Sequence, residues 1–112
     1  MPGTFHLRNT ADGRFRFTLE AGNGQPLLVS EAYPARSAAL GGIEAVRRSV
    51  AGEAAFEPLT GEDGHPYFIL RGADGHLLGH SQGFASAAGC RLGIDSVRRH
   101  APLAELADET HR

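Results

Sequence analysis

Two pairs of adjacent arginines are the residues whose type and spacing most directly suggest a chemical role. Arg47 and Arg48 are followed, 51 positions later, by Arg98 and Arg99. Paired cationic side chains are typical contacts for phosphate, because phosphate contacts supply most of the affinity of nucleic-acid-binding proteins. The two pairs are therefore candidate contacts for a small anion or for a nucleic-acid backbone.

The same arginines have a simpler alternative role within a helix. Glu44 lies four residues before Arg48, and Asp95 lies four residues before Arg99. Such pairs stabilise a helix by about 0.2–0.5 kcal/mol each. The formal net charge of −2 argues against nucleic acid as the partner. Anion contact and helix stabilisation both remain open at this point.

The other reactive side chains form no catalytic or metal-binding pattern. His76 and His80 lie on one face of a predicted strand, but four strand residues span about 13 Å, which is too far for one metal ion. The single cysteine, Cys90, follows Ala39 by 51 positions, which favours a small buried side chain over a nucleophile. We therefore predict no catalytic residue, no metal site and no cofactor, and we expect that the protein is not an enzyme.

Composition indicates a globular protein of a reducing compartment. The chain has 112 residues, of which 41% are hydrophobic and 21% are charged. A lone cysteine cannot form an intrachain disulfide, and the first residues lack the apolar segment of a signal peptide. No apolar run approaches the roughly 18–20 residues that span a membrane. These features predict a cytoplasmic protein without a membrane segment.

The chain is an internal duplication. A shift of 51 positions aligns residues 5–50 with residues 56–101 without a gap, and 13 of the 46 aligned positions are identical. Average residue usage would give about three matches by chance. The matches include both Asp-Gly pairs, at 12–13 and 63–64, and both Gly-Ile pairs, at 42–43 and 93–94.

Each copy reads as three strands followed by a helix. Apolar and polar residues alternate at 4–9 and 14–20, and a third strand is expected at about 25–30. Asp-Gly and Asn-Gly sequences predict tight turns between them. A helical stripe then follows in each copy, with Ser86 as the predicted N-cap of the second helix. The stripes are Ala39, Ile43, Val46 and Val50 in the first copy, and Cys90, Ile94, Val97 and Ala101 in the second.

Glycines inside the predicted helices need a compensating reason. Gly42 and Gly93 each cost about 1 kcal/mol relative to alanine, and Gly41 adds to this cost in the first copy. Close packing against the sheet or the other helix is the interpretation we favour. A gap that faces a ligand is the alternative.

These elements predict an α+β fold. Two tandem β3-α repeats, at about 3–51 and 54–102, share one antiparallel sheet with both helices on one face and a pseudo-twofold axis. Residues 1–102 form a single domain, because one repeat alone buries too little surface. Residues 103–112 have no counterpart in the other copy and are predicted to be a flexible C-terminal tail.

The order of these features resembles the YegP-like family of small bacterial proteins, over roughly residues 3–101. The phenylalanine-rich strand, the NG or DG turn, the aromatic residue after strand three and the Gly-Ile-x-x-Val-Arg helix each occur twice. The resemblance implies a β3-α(-β) unit in which the strand after each helix is exchanged between the units within one sheet, here residues 54–60. It supplies no catalytic residues, and Pro58 and Pro66 depart from the pattern because proline interrupts strand hydrogen bonding.

One difference between the copies suggests a contact surface. The outward positions of strand two include Tyr67 and Ile69 in the second copy, where the first copy has Arg16 and Thr18. Exposed apolar residues on a sheet face favour an interaction site, unless the sheet curls and covers them. We predict a non-enzymatic binding module whose sheet face meets a protein partner or a second copy, as in a homodimer. The alternative is an anion or nucleic-acid binder that uses Arg47, Arg48, Arg98 and Arg99.

Overall fold

A computed structural model describes residues 3–51 and 55–110 of the chain. Within these residues the backbone forms seven strands, two α-helices and one 3₁₀ turn. The elements are β1 (Thr4–Asn9), β2 (Phe15–Glu20), β3 (Pro26–Val29), α1 (Arg36–Ala51), β4 (Ala55–Thr60), β5 (Pro66–Arg71), β6 (Leu77–His80), α2 (Ala87–His100), the 3₁₀ turn (Ala101–Leu103) and β7 (Glu105–Asp108).

The strands form one sheet in the order β4-β5-β6-β3-β2-β1-β7. Each repeat contributes an antiparallel meander, β1-β2-β3 or β4-β5-β6, and the meanders join where Val29 of β3 pairs with His80 of β6. The predicted α+β fold of two repeats that share a sheet is confirmed. It differs in one respect, because β7 runs parallel to β1 and the sheet is therefore mixed.

Local sequence explains the meanders. The Asp-Gly turns place Gly13 at φ 85° and Gly64 at φ 82°, a region that residues with a Cβ rarely adopt. In β2 the alternation points Phe17 and Leu19 into the core and leaves Arg16 exposed. The strand periodicity of two thus decides which side chains meet the helices.

Both helices bury the predicted stripes against the same hydrophobic core. Ser86 caps α2, because its side chain accepts a hydrogen bond from the backbone N–H of Gly89 at 3.0 Å. The chain then turns at Pro102 into the 3₁₀ segment. All eight stripe residues are buried: Ala39, Ile43, Val46, Val50, Cys90, Ile94, Val97 and Ala101.

An aromatic ring separates each helix from the sheet. Tyr33 stacks on Phe17 of β2, with ring centroids 6.1 Å apart and an interplanar angle of 18°. A Cβ atom at Gly42 would lie 2.8 Å from the Tyr33 Cζ atom, so only glycine allows the helix to approach the ring. The packing interpretation of this helix glycine is confirmed.

The second repeat builds the same contact from Phe84, Phe68 and Gly93. The rings lie 6.1 Å apart at 16°, and a Cβ at Gly93 would lie 3.0 Å from the Phe84 Cε1 atom. Gly41 is different, because a Cβ atom there would meet nothing within 4 Å. Packing therefore accounts for Gly42 and Gly93 and leaves Gly41 without a structural reason.

The prediction of a flexible C-terminal tail is wrong for residues 103–110. Residues 105–108 form β7, which extends the sheet beyond β1 through the hydrogen bond from Glu109 N–H to the Leu7 carbonyl at 2.8 Å. Ala104 is buried just before this strand. Backbone hydrogen bonds and the ion pair of Asp108 with Arg36 hold the strand, so it forms without an apolar alternation of its own. Residues 111–112 lie outside the described part of the chain.

The strand that follows α1 in the chain is β4, and it joins the meander of the second repeat, as the exchange implied by the family resemblance requires. Residues 55–60 form β4, which runs antiparallel to β5, while residue 54 lies outside the described residues. The two prolines do not interrupt these strands. Pro66 is the first residue of β5, a position where proline is tolerated.

Pro58 lies in the middle of β4 with its nitrogen on the free edge of the sheet. Its partner Phe68 donates its N–H to the Ser81 hydroxyl at 3.0 Å and accepts the Ser81 N–H at 2.9 Å, so both polar groups of Phe68 face β6. In an antiparallel ladder the opposite residue then directs its own N and C=O away from that pair. Leu7 holds the equivalent position in β1 and directs its carbonyl to β7.

The join between the repeats is not symmetric. Leu28 of β3 is fully buried, and the equivalent residue of β6 is Gly79. A Cβ atom at Gly79 would lie 2.8 Å from the Val29 carbonyl oxygen and 2.9 Å from the Leu28 Cγ atom. There is room for one side chain near the axis, and Leu28 fills it.

Adjacent glycines of α1 should respond to alanine in opposite directions. We expect Gly41→Ala to raise the free energy of unfolding by about 1 kcal/mol, and the melting temperature by about 4 °C, because the new methyl group meets open space. Gly42→Ala should lower that free energy by about 1–3 kcal/mol through overpacking against Tyr33. Thermal and urea denaturation measure both. Gly93→Ala is the matched control and should behave as Gly42→Ala, whereas equal effects at 41 and 42 would contradict this packing.

Acid should release β7. Hydrogen bonds from the hydroxyl and the backbone N–H of Thr110, together with the guanidinium of Arg36, lower the pKa of Asp108 from 3.8 to about 2. The carboxylate thus stabilises the docked strand fully above about pH 4 and loses this effect as the pH falls toward 2. We expect the protection factors of the β7 amides, which are exchange rates corrected for the intrinsic effect of pH, to fall over that interval. Asp108→Asn should show fast exchange at pH 7 as well, whereas Asp95→Asn, an exposed change on α2, should not.

Candidate functional site

A groove lies between the second half of α1 and the turn that joins β5 to β6. We call it groove A. It has a volume of about 590 Å³ and its walls come from both repeats. Its lining includes Tyr33, Gly41, Arg48, Ser49, Asp74 and His76.

Groove A collects hydrogen-bond donors that the described protein does not satisfy. No carboxylate among the described residues pairs with Arg48, and the Tyr33 and Ser49 hydroxyls have no protein partner there. Burial, together with the charge of Glu31, raises the pKa of Tyr33, so its hydroxyl stays protonated and able to donate. The arrangement suits a ligand that accepts hydrogen bonds and carries negative charge.

Asp74 contributes the only carboxylate among the described residues that line groove A. Its Oδ1 atom accepts the backbone N–H of His76 at 2.9 Å and so fixes the turn. Asn23 does the same in the first repeat, where its Oδ1 accepts the Gln25 N–H at 3.0 Å. The turn therefore needs one side-chain oxygen and no charge.

The predicted arginine contacts separate into different roles. Arg47 lies over the Phe5 ring at 5.3 Å, and it donates to the Ala104 carbonyl at 2.7 Å. It also forms an ion pair with Glu44 at 3.6 Å, which replaces the predicted pairing of Glu44 with Arg48. Arg47 is thus a structural residue that clasps α1 to β1 and to the start of β7.

The second pair lies in different surroundings. Arg98 lies over the Phe56 ring at 5.0 Å. Arg99 is exposed, and it does not line the groove at its own end of the molecule. Of the four predicted arginines, Arg48 alone reaches a groove. Arg47 and Arg48 take different roles because successive helix residues project about 100° apart. Anion contact by Arg98 and Arg99 stays a prediction.

A second groove is the pseudo-symmetric counterpart of groove A. This groove B lies between α2 and the turn from β2 to β3, and its volume is about 520 Å³. Asn23, Gln25, Ser96 and His100 line it. The His100 ring nitrogen Nδ1 lies 2.8 Å from the Ser96 carbonyl oxygen and is thus engaged within the helix. Groove B offers no cation of the kind that Arg48 supplies.

The predicted contact surface around Tyr67 and Ile69 is only partly open. Ile69 is 8% exposed, so its predicted exposure is wrong. In register it lies between Glu57 of β4 and His80 of β6, and the ion pair of Glu57 with Arg71 at 3.5 Å passes close to it. Tyr67 is half-buried beside its register partner in β4.

Charged side chains also cross the opposite end of this sheet face. His6 lies 3.6 Å from Glu20 and 3.4 Å from Glu109, while Arg8 contacts the same two carboxylates at 3.7 and 2.6 Å. The cluster joins β1 and β2 to the segment that follows β7. It makes this end of the face polar, and the buried Nδ1 atom of His6 has no hydrogen-bond partner among the described residues.

The remaining reactive groups are accounted for by burial and spacing. Cys90 is 2% exposed, and burial raises the pKa of its thiol, as expected for a small core side chain. Among residues 3–51 and 55–110, no three histidine, cysteine, aspartate or glutamate side chains come together as metal ligands. Within the same ranges no helix is long and apolar enough to cross a membrane.

Sequence reasoning missed most of groove A. It named Arg48 but neither Tyr33, Ser49, Asp74 nor His76, because a helix of one repeat meets a turn of the other only in three dimensions. Two signals were present in the sequence. One was the additional glycine at position 41, and the other was a tyrosine where the second repeat has phenylalanine.

The fold and the duplicated grooves define a class of small α+β proteins made of two tandem repeats. The family described as a domain of unknown function, DUF1508, matches residues 11–57 and residues 62–108. The chain belongs to this family, whose repeat includes the strand after each helix. The UPF0339 protein PA0329 of Pseudomonas aeruginosa is 43% identical over 98% of this chain and 100% of its own length.

Further relatives extend the comparison to solved structures. The UPF0339 protein YegP of Escherichia coli K12 is 37% identical over 98% of this chain and 100% of its own length. The solution structure of E. coli yegP, a protein of unknown function, superimposes with a TM-score of 0.92 over 100% of this chain and 97% of that one, at 37% identity. UPF0339 protein SO3888 of Shewanella oneidensis gives a TM-score of 0.91 at 34% identity, over 98% and 93% of the two chains. These relatives are uncharacterised.

Replacement of the two adjacent arginines should separate a structural role from a binding role. We expect Arg47→Ala to lower the free energy of unfolding by about 1–2 kcal/mol, because it removes the contact with the Phe5 ring and a charge-assisted hydrogen bond. Arg48→Ala should change it by no more than about 0.5 kcal/mol. Urea denaturation measures both values. A larger loss for Arg48→Ala would show that Arg48 supports the fold.

Proposed function

We propose that the protein is a non-enzymatic binding module that holds a small anionic ligand in groove A. The observation that carries the proposal is the Arg48 guanidinium, which has no ion-pair partner among the described residues, in a groove that also offers the Tyr33 and Ser49 hydroxyls. A guanidinium matches the geometry of phosphate and carboxylate oxygens, and hydroxyls add directed hydrogen bonds. The duplicated scaffold holds these donors on a helix and a stacked ring, which limits their motion.

The chemistry of groove A favours binding over catalysis. General acid–base or nucleophilic catalysis needs convergent titratable groups that activate one another. Here the Asp74 oxygen is engaged in the turn, and within residues 3–51 and 55–110 no base lies in hydrogen-bond contact with the hydroxyls of Tyr33 and Ser49. A cytoplasmic location, predicted from the cysteine content, is part of this proposal.

The sheet face is a weaker candidate for the binding surface. The buried Ile69 and the ion pairs across the face leave Tyr67 as the main accessible apolar residue of the predicted patch. Contact with a protein partner or a second copy of the chain stays a prediction. Nucleic acid is disfavoured because the cationic side chains are dispersed, and Arg47 and Arg98 lie on aromatic rings.

Titration with a simple anion tests the proposal. We expect inorganic phosphate, added at constant ionic strength, to shift the NMR signals of the amides of residues 41–49 and 72–76. Arg48→Gln should weaken binding by about tenfold or more, because a hydrogen bond to a charged group contributes about 1.5–3 kcal/mol. Arg99→Gln, the equivalent change in the second repeat, is the matched control and should bind as the unaltered protein does.

A second variant tests the sign of the ligand charge. Asp74→Asn keeps the turn, as Asn23 does in the first repeat, but removes the only carboxylate of the groove. It should bind phosphate more tightly, because a like charge has been removed. Weaker binding by Asp74→Asn, or equal loss in Arg48→Gln and Arg99→Gln, would contradict an anion site in groove A.

A further inference from the structure

The helix surface at Gly41 has an unexplained opening. Gly41 lies inside α1, is exposed, and has no heavy atom within 4 Å of the place where a Cβ would be. Packing gives a reason for its neighbour Gly42, which faces the Tyr33 ring, but gives none for Gly41. Glycine inside a helix is costly, so a residue with a side chain would stabilise α1 here.

The second repeat shows that the position accepts a large side chain. The equivalent residue of α2 is Leu92, which projects from the helix and is 69% exposed. The two repeats therefore differ at this point by a whole leucine side chain. The glycine occurs in α1, the helix that also carries Arg48, and both residues line groove A.

The surface beside this opening is apolar. Ala45 follows Gly41 by one helical turn, and Leu78 of β6 also lines the groove. Leu78 is 4% exposed, which leaves it as a floor and not as a projecting residue. An apolar, flat group could rest on bare helix backbone and on these side chains while its charged end reached Arg48.

From this juxtaposition we propose that groove A binds an amphipathic small molecule. Its oxyanion, a phosphate or a carboxylate, pairs with Arg48, and its apolar body covers Gly41, Ala45 and Leu78. The inference rests on the proposed function, and it adds the class of ligand. The missing side chain at position 41 is the feature that admits the body, and burial of apolar surface there supplies affinity that a bare anion lacks.

A matched set of four ligands tests the inference. Phenyl phosphate should bind at least about tenfold more tightly than inorganic phosphate, or benzoate about tenfold more tightly than acetate, because of the buried ring. The pair that binds more tightly identifies the oxyanion. Affinities come from NMR titration of the amides of residues 41–49 and 72–76.

Gly41→Leu is the decisive variant, because it places in groove A the residue that the second repeat already has. It should remove the preference for the aryl ligand, so that the ratio of the affinities for phenyl phosphate and inorganic phosphate falls from about tenfold to about one. Gly41→Ala should give an intermediate loss, and thermal denaturation should show both variants folded, since the new side chains meet open space.

The failures of the two proposals are distinguishable. If the ring adds no affinity and Gly41→Leu has no effect, while inorganic phosphate still binds in an Arg48-dependent manner, the amphipathic ligand is excluded and the anion site stands. If neither inorganic phosphate nor acetate shifts the groove A amides, the proposed function itself is overturned.

Discussion

Each repeat depends on one aromatic ring held between a strand and a helix that carries glycine at the contact. Tyr33 stacks on Phe17, and its ring occupies the space that a side chain at Gly42 would need. Because protein interiors are close-packed, this contact fixes how near the helix approaches the sheet. The same contact sets the direction in which the end of α1 extends, over the turn of the other repeat, and this places Arg48 at groove A.

The parts of the fold that are visible in sequence are those with a local period. Alternation gave the strands, the Asp-Gly pairs gave the turns, and the stripe from Ala39 to Val50 gave the buried face of α1. Each of these depends on residues close together in the chain, which is why the duplicated α+β architecture could be predicted. Because the second repeat carries the same pattern, it gave independent support for each predicted element. Strand β7 had no such support.

What the sequence did not reveal depends on contacts between distant segments. Strand β7 forms because the free edge of β1 offers hydrogen bonds and because Arg36 pairs with Asp108, 72 positions away. Ile69 is buried although its position in β5 faces outward, and its register partners Glu57 and His80 belong to strands that are distant in the chain. Groove A likewise joins a helix of one repeat to a turn of the other, so four of its polar residues escaped attention.

Duplication supplies two of every feature, and the structure shows where two are not tolerated or not used. Near the axis Leu28 and a second leucine would collide, and glycine takes the second position. Away from the axis the copies have diverged without steric need, as at Gly41 and Leu92. The first kind of asymmetry preserves the shared core, whereas the second gives the two grooves different chemistry.

Pro58 has a consequence for assembly. A sheet with an open edge can recruit a strand from another molecule, and repetition of that event produces a filament without end. The pyrrolidine nitrogen of Pro58 has no proton to offer at the centre of the outer strand, and at the far end of the sheet a short strand bearing Glu105 and Asp108 closes the series. Both outer strands thus carry features that oppose the addition of a further strand.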